Sequence, residues 1–147
     1  MKKRSDRMSL LADLAERKKR QADQFLADSR ARVTRDEATL AQLEQFLAEY
    51  QQQLQHKGRQ GVAVDQLLMA RAFIEKIEST LRQHREAMKT NREQLEQVEQ
   101  YWRQTYGHLK AMQKLTDRAL DQERADAEKQ LQKALDERSQ LIRPPFI

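Results

Sequence analysis

Three side chains in this 147-residue sequence could hold a metal or move a proton near neutral pH: His56, His84 and His108. They lie in three separate stretches, and none stands in an HExxH pattern. The chain has no cysteine, so disulfide and thiolate chemistry are excluded and zinc would lack its usual sulfur ligands. No P-loop and no glycine-rich nucleotide loop occurs. Only His84 falls on an apolar stripe, where a lone histidine is more often a tolerated polar layer than a ligand. No catalysis, cofactor or metal is expected.

The next group with chemical character is the run Arg17-Lys18-Lys19-Arg20. Residues 1–35 carry 11 Lys/Arg against 5 Asp/Glu, or +6, while the other 112 carry 17 against 18, or −1. A basic end suits acidic protein, anionic lipid or nucleic acid. Asp13, Glu16, Asp23 and Asp28 interrupt the run, however, so nucleic-acid binding is not expected and a solvated face is the plainer reading. The start MKKRSDRMSLLADLAERKKR is reminiscent of a secretory leader, but Asp13 and Glu16 break its apolar stretch, so a signal peptide is not expected. No apolar run approaches a membrane span.

These groups must be positioned by helices. Charged residues make up 35 % of the chain, too many for an ordinary globular core and typical of long helices. Both prolines, Pro144 and Pro145, are at the extreme end, and the tail Arg143-Pro144-Pro145-Phe146-Ile147 is expected to be a frayed terminus. Read at alternating steps of four and three, positions 8 to 54 form a stripe in which eleven of fourteen residues are apolar, Leu40, Leu47 and Leu54 among them. A second stripe from Leu67 to Met112 again has eleven of fourteen. Two such 3.5-residue repeats predict a left-handed coiled coil.

Gly58 and Gly61 interrupt the helix-formers between them. A short break between two long amphipathic helices makes them antiparallel neighbours. The expected architecture is therefore all-α: one antiparallel coiled-coil hairpin, with helix 1 over about 6–57, a turn over about 58–64 and helix 2, the longer, over about 65–138. Gly58 or Gly61 is expected to take the left-handed turn conformation, and Asp65 to cap helix 2. After Met112 the large residues suggest a stutter through Thr116 to Leu120, followed by a weak stripe that frays unless a partner covers it. A ribbon of this kind is expected to enclose no pocket.

The two flanks of the hairpin differ. One carries Glu37, Glu44 and Gln51 with Arg71, Glu78 and Arg85, which can form cross-helix ion pairs. The other carries Thr39, Phe46, Phe73, Thr80 and Tyr101, with Leu43, Tyr50 and Ile77 beneath or beside them. The aromatics either widen the core or form an exposed docking patch. Periodicity fixes the register no better than to one heptad.

The stretches LEQFLAEYQQQL (43–54), Gly61, QLLMARAFIEKIESTLRQH (66–84) and YWRQTYGHLKAMQKLTDR (101–118) resemble the flagellar export protein FliJ family over nearly the whole chain. The most specific points of likeness are Tyr50, Gly61, Phe73, His84, Trp102 and the pair Asp117-Arg118. The resemblance implies a cytoplasmic component of the flagellar type III export apparatus, without catalysis and only peripherally associated with the membrane. Its implied partners are the hexameric export ATPase FliI, the cytosolic domain of the export gate FlhA, and export chaperones. The gate-docking surface it implies maps to Thr39, Leu43, Phe46, Tyr50, Phe73, Ile77, Thr80 and His84. The ATPase contact it implies lies at the paired ends, including Arg17, Lys18, Lys19 and Arg20. The rival readings are the stalk protein of a virulence-type injectisome, a structural coiled-coil scaffold, and a basic helix that binds membrane or nucleic acid.

Overall fold

The structure, a computed structural model, describes residues 3–142. It is all-α, with two long helices, α1 (Arg4–Gln60, 57 residues) and α2 (Val64–Ile142, 79 residues), packed antiparallel, the second longer. The run Arg143 to Ile147 lies outside the described residues. Valine and threonine occur only at Val33, Thr34 and Thr39 in α1, and isoleucine not at all, so little opposes a long helix. Asp6 in its first turn and Lys57 and Arg59 in its last complement the helix dipole.

Gly61 ends α1. Its φ of 87° is the left-handed conformation that side-chain-bearing residues avoid, and its N–H donates to the Gly58 carbonyl at 3.4 Å. Gly58 itself remains helical within α1. The first bond of α2 runs from the Leu67 N–H to the Ala63 carbonyl at 3.1 Å, so Ala63 occupies the cap position. Asp65 is thus not the cap expected from the sequence. It lies two residues past the cap, in the first turn, where its charge still favours the positive end of the helix.

Two compact units form along the helices. In the unit Asp23–Tyr101, which contains the turn, the buried seam residues are mostly large and apolar: Leu26 on α1, and Ile77, Leu81 and Met88 on α2, with Ala70 near the turn. In the unit that joins the start of α1 to α2 from Trp102 onward, the buried seam residues are mostly small. Ala15 and Ala22 are buried (Ala22 completely), as is Leu109. Both fourteen-residue stripes read from the sequence are the seam, for none of their positions is exposed.

The stutter is absent. Beyond Met112 the seam keeps its four-three rhythm through Thr116, buried Ala119 and half-buried Glu123, while Leu120 is exposed. Leu120 attracts the eye by size, but helical phase is set by the preceding heptads, and a helix does not rewind to bury one leucine. Past Glu123 that phase meets only polar residues, and α2 from Arg124 to Ile142 is exposed throughout.

At the seam's last layer, the Ser5 hydroxyl donates to Glu123 Oε2 at 2.7 Å and the Ser5 backbone N–H to Oε1 at 3.1 Å. The Glu123 carboxylate therefore satisfies one of the free N–H groups that begin α1. These two Ser5 bonds, hydroxyl first and backbone second, hold the Glu123 carboxyl below the usual range.

Candidate docking surface

Cross-helix contacts in the unit Asp23–Tyr101 fix the register that periodicity left open. Along one flank, Arg30 meets Glu99 (3.9 Å), Glu37 meets Arg92 (3.6 Å) and Glu44 meets Arg85 (2.9 Å). Each pair is one heptad from the next. All six side chains are partly solvated, so each pair contributes little alone, but together they line one side of the seam with paired opposite charges.

Along the opposite flank no ion pair forms among the described residues. Here Phe46, Tyr50 and Phe73 meet as a cluster. Tyr50 and Phe73 make an edge contact at 4.9 Å between centroids, Phe46 and Phe73 another at 6.3 Å, and Phe46 stacks on Tyr50 at 6.5 Å. Such pairs add about 0.5–1.5 kcal/mol beyond burial. Yet Phe46 stays 47 % exposed and Phe73 41 %. The aromatics flank the seam and leave ring surface in water.

The eight residues of the implied gate surface divide by orientation. Phe46, Phe73, Thr39 and Thr80 are exposed; Leu43 and Tyr50 are half-buried. The register that pairs Phe46 with Phe73 brings Thr39 opposite Thr80 one heptad along. The Thr80 hydroxyl donates back to the Lys76 carbonyl of its own helix. Ile77 faces inward, only 7 % exposed. His84 is half-buried, and its Nε2 donates to the Asp36 backbone carbonyl at 2.8 Å, which fixes the proton on that nitrogen. Ile77 and His84 thus belong to the seam and support the surface from below.

The hairpin does leave a cleft, contrary to expectation. It opens at the turn with a volume of about 630 Å³, walled by Tyr50, Leu54, Val62, Met69, Ala70 and Phe73. Lys57 is its only charged lining residue, so it offers apolar contact and no chemistry. Periodicity gave no signal for it, because it depends on the three-residue connection. Exposed Val64, Leu68 and Met69 continue the apolar surface over the turn. Further along the same flank, Phe25 and Tyr101 are exposed beside Val98 and the Arg32–Gln94 hydrogen bond.

In the other unit the four basic residues do not act as one patch. Lys19 is half-buried with its Nζ 5.9 Å above the Tyr106 ring, which also carries Lys110 Nζ at 4.9 Å and stacks on Trp102 at 5.3 Å. Arg20 donates to Glu16 at 2.9 Å. Arg17 and Lys18 extend into solvent. Among the described residues no acidic or histidine cluster could hold a metal, and no helix is long and apolar enough to cross a membrane.

A family described as the flagellar FliJ protein matches residues 3–142. No curated protein and no solved structure matches the chain.

Proposed function

The chain belongs to the FliJ family, and we propose that it works as a non-catalytic stalk of the flagellar type III export apparatus, joining the export ATPase ring to the membrane export gate. Membership of the family makes it a flagellar export component. The observation that carries the gate-docking half is the exposed Phe46–Tyr50–Phe73 cluster, since half-exposed aromatics backed by a rigid seam are the usual anchors of binding hot spots. Thr39 and Thr80 border the anchors. Leu43, Ile77 and His84 hold them in place. The cytosolic domain of FlhA is the partner for this surface.

The paired ends face the FliI ring in this reading and promote its assembly. Arg17 and Lys18 supply solvated positive charge to an acidic channel, with Lys19 and Arg20 beside them. Export chaperones are further partners. The protein works in the cytoplasm, at the inner face of the membrane through its partners.

The test is secreted flagellin and swimming radius in a strain lacking the protein. Export should fall sharply and return with the plasmid-borne gene, but not with the Phe46→Ala/Phe73→Ala gene. Normal export without the protein would overturn the flagellar role and favour an injectisome stalk or a plain scaffold.

A further inference from the structure

Asp36 occupies a seam position that the heptad pattern reserves for apolar residues. It is held there by two residues of α2 that are one heptad apart. His84 Nε2 donates to its backbone carbonyl at 2.8 Å, and Asn91 Nδ2 donates to its Oδ2 at 2.6 Å. Asp36 sits as a knob between His84 and Asn91. A slip of one heptad would seat its carboxylate between Ile77 and His84, or between Asn91 and Val98, and leave it against an apolar side chain. Buried polar residues at such positions specify register, not stability.

A second observation shows which slip the clamp opposes. Gly58 lies inside α1, and a Cβ there would meet nothing within 4 Å. Neither backbone conformation nor packing in this state calls for glycine. Gly58 stands three residues before Gly61, and a two-residue turn at Gly58-Arg59 in place of the present three-residue connection shifts the pairing by seven, one full heptad. The last residues of α1, Gln55–Gln60, are all exposed and can unwind without losing seam contacts.

We propose that Asp36, His84 and Asn91 form a register clamp that holds the hairpin on its Gly61 turn, against an alternative pairing that turns at Gly58. The clamp positions the docking surface, because only the Gly61 register brings Phe46 beside Phe73. In the slipped register Phe46 faces Gln66 and the aromatic cluster is dispersed. This consequence for docking rests on the function proposed above; the register itself does not.

Because the chain lacks cysteine, engineered pairs report the register directly. Glu44→Cys/Arg85→Cys reads the observed pairing, and Glu44→Cys/Glu78→Cys reads the slipped one, each with a short thiol crosslinker in the full chain. With the clamp intact, only the first pair should crosslink. In Asp36→Leu/Asn91→Leu, with helicity retained by circular dichroism, the second should rise from background to a comparable yield, and Gly58→Ala should return it to background. Asp36→Asn keeps a partner for Asn91 and should behave as the parent chain. If the Asp36→Leu/Asn91→Leu chain still crosslinks only through the first pair, the clamp is not what sets the register. If the slipped pair persists with Gly58→Ala, the alternative turn is not at Gly58. Neither result depends on binding to the export gate, so a failure of the clamp is distinguishable from a failure of the docking assignment.

Discussion

The two flanks of the unit Asp23–Tyr101 share one backbone geometry and differ in nearly everything else. One repeats an ion pair every heptad: Arg30–Glu99, Glu37–Arg92, Glu44–Arg85. The other has aromatic rings where those charges would be, and leaves them half in water. Paired charges satisfy one another and offer a partner little, while exposed rings lose water only when something covers them. Away from the cleft at the turn, a two-helix ribbon offers partners its flanks and no interior. In the function proposed above the seam supplies stability and the aromatic flank recognition.

The largest effect expected from breaking this contrast is on binding. Phe46→Ala and Phe73→Ala should each weaken binding to the FlhA cytosolic domain by about 2 kcal/mol, roughly 30-fold in Kd, as truncated hot-spot anchors do. Calorimetry measures this. Thermal melting should change far less than for a seam truncation such as Leu81→Ala, which removes a side chain only 4 % exposed and should cost about 2–5 kcal/mol. If the aromatic truncations melt the hairpin as Leu81→Ala does, the rings are core.

The turn sharpens the comparison, since the flanks exist as described in one register only. Gly61→Ala places a Cβ on a positive φ and should destabilise by about 1–2 kcal/mol. Gly58→Ala removes a glycine from a helix with open space around it and should stabilise by about 0.5–1 kcal/mol. Denaturant midpoints of the two variants should therefore move in opposite directions.

The smallest effects belong to the charged flank. Glu44→Gln should cost no more than about 0.5 kcal/mol, vanish at high salt and leave gate binding unchanged. In the other unit, Glu123 has a folded pKa below its unfolded one. Its contribution is complete above the ordinary glutamate range and is lost as pH falls through the lowered value. Hydrogen-exchange protection at the first turn of α1, taken relative to the intrinsic rate at each pH, should hold at neutral pH and fall only in acid. Glu123→Gln should remove that dependence.

Much of this was legible in the sequence, for identifiable reasons. The seam was, because a 3.5-residue repeat is a property of each strand alone, and every position of both stripes is sheltered. The chemical difference between the flanks followed from the same phase. Register was not legible, because it is decided by pairs such as Asp36–Asn91 and Glu44–Arg85 that only the folded hairpin brings together. The seam beyond Met112 was misread because Leu120 outweighs Ala119 in size while phase favours Ala119. The cap of α2 differs from the reading because Asp65, a strong capping type, stands two residues after the Ala63 cap position. Of the eight candidate docking residues, the sequence could mark the face but not tell the exposed rings of Phe46 and Phe73 from the inward-facing Ile77 and His84.

Site-specific photocrosslinking compares the two flanks most directly. A photoreactive residue at Thr39 or Thr80, on the aromatic flank, should capture the FlhA cytosolic domain, while one at Glu44 or Gln51, on the charged flank, should not. Capture from the charged flank, or equally from both, would contradict the assignment of recognition to the aromatic side.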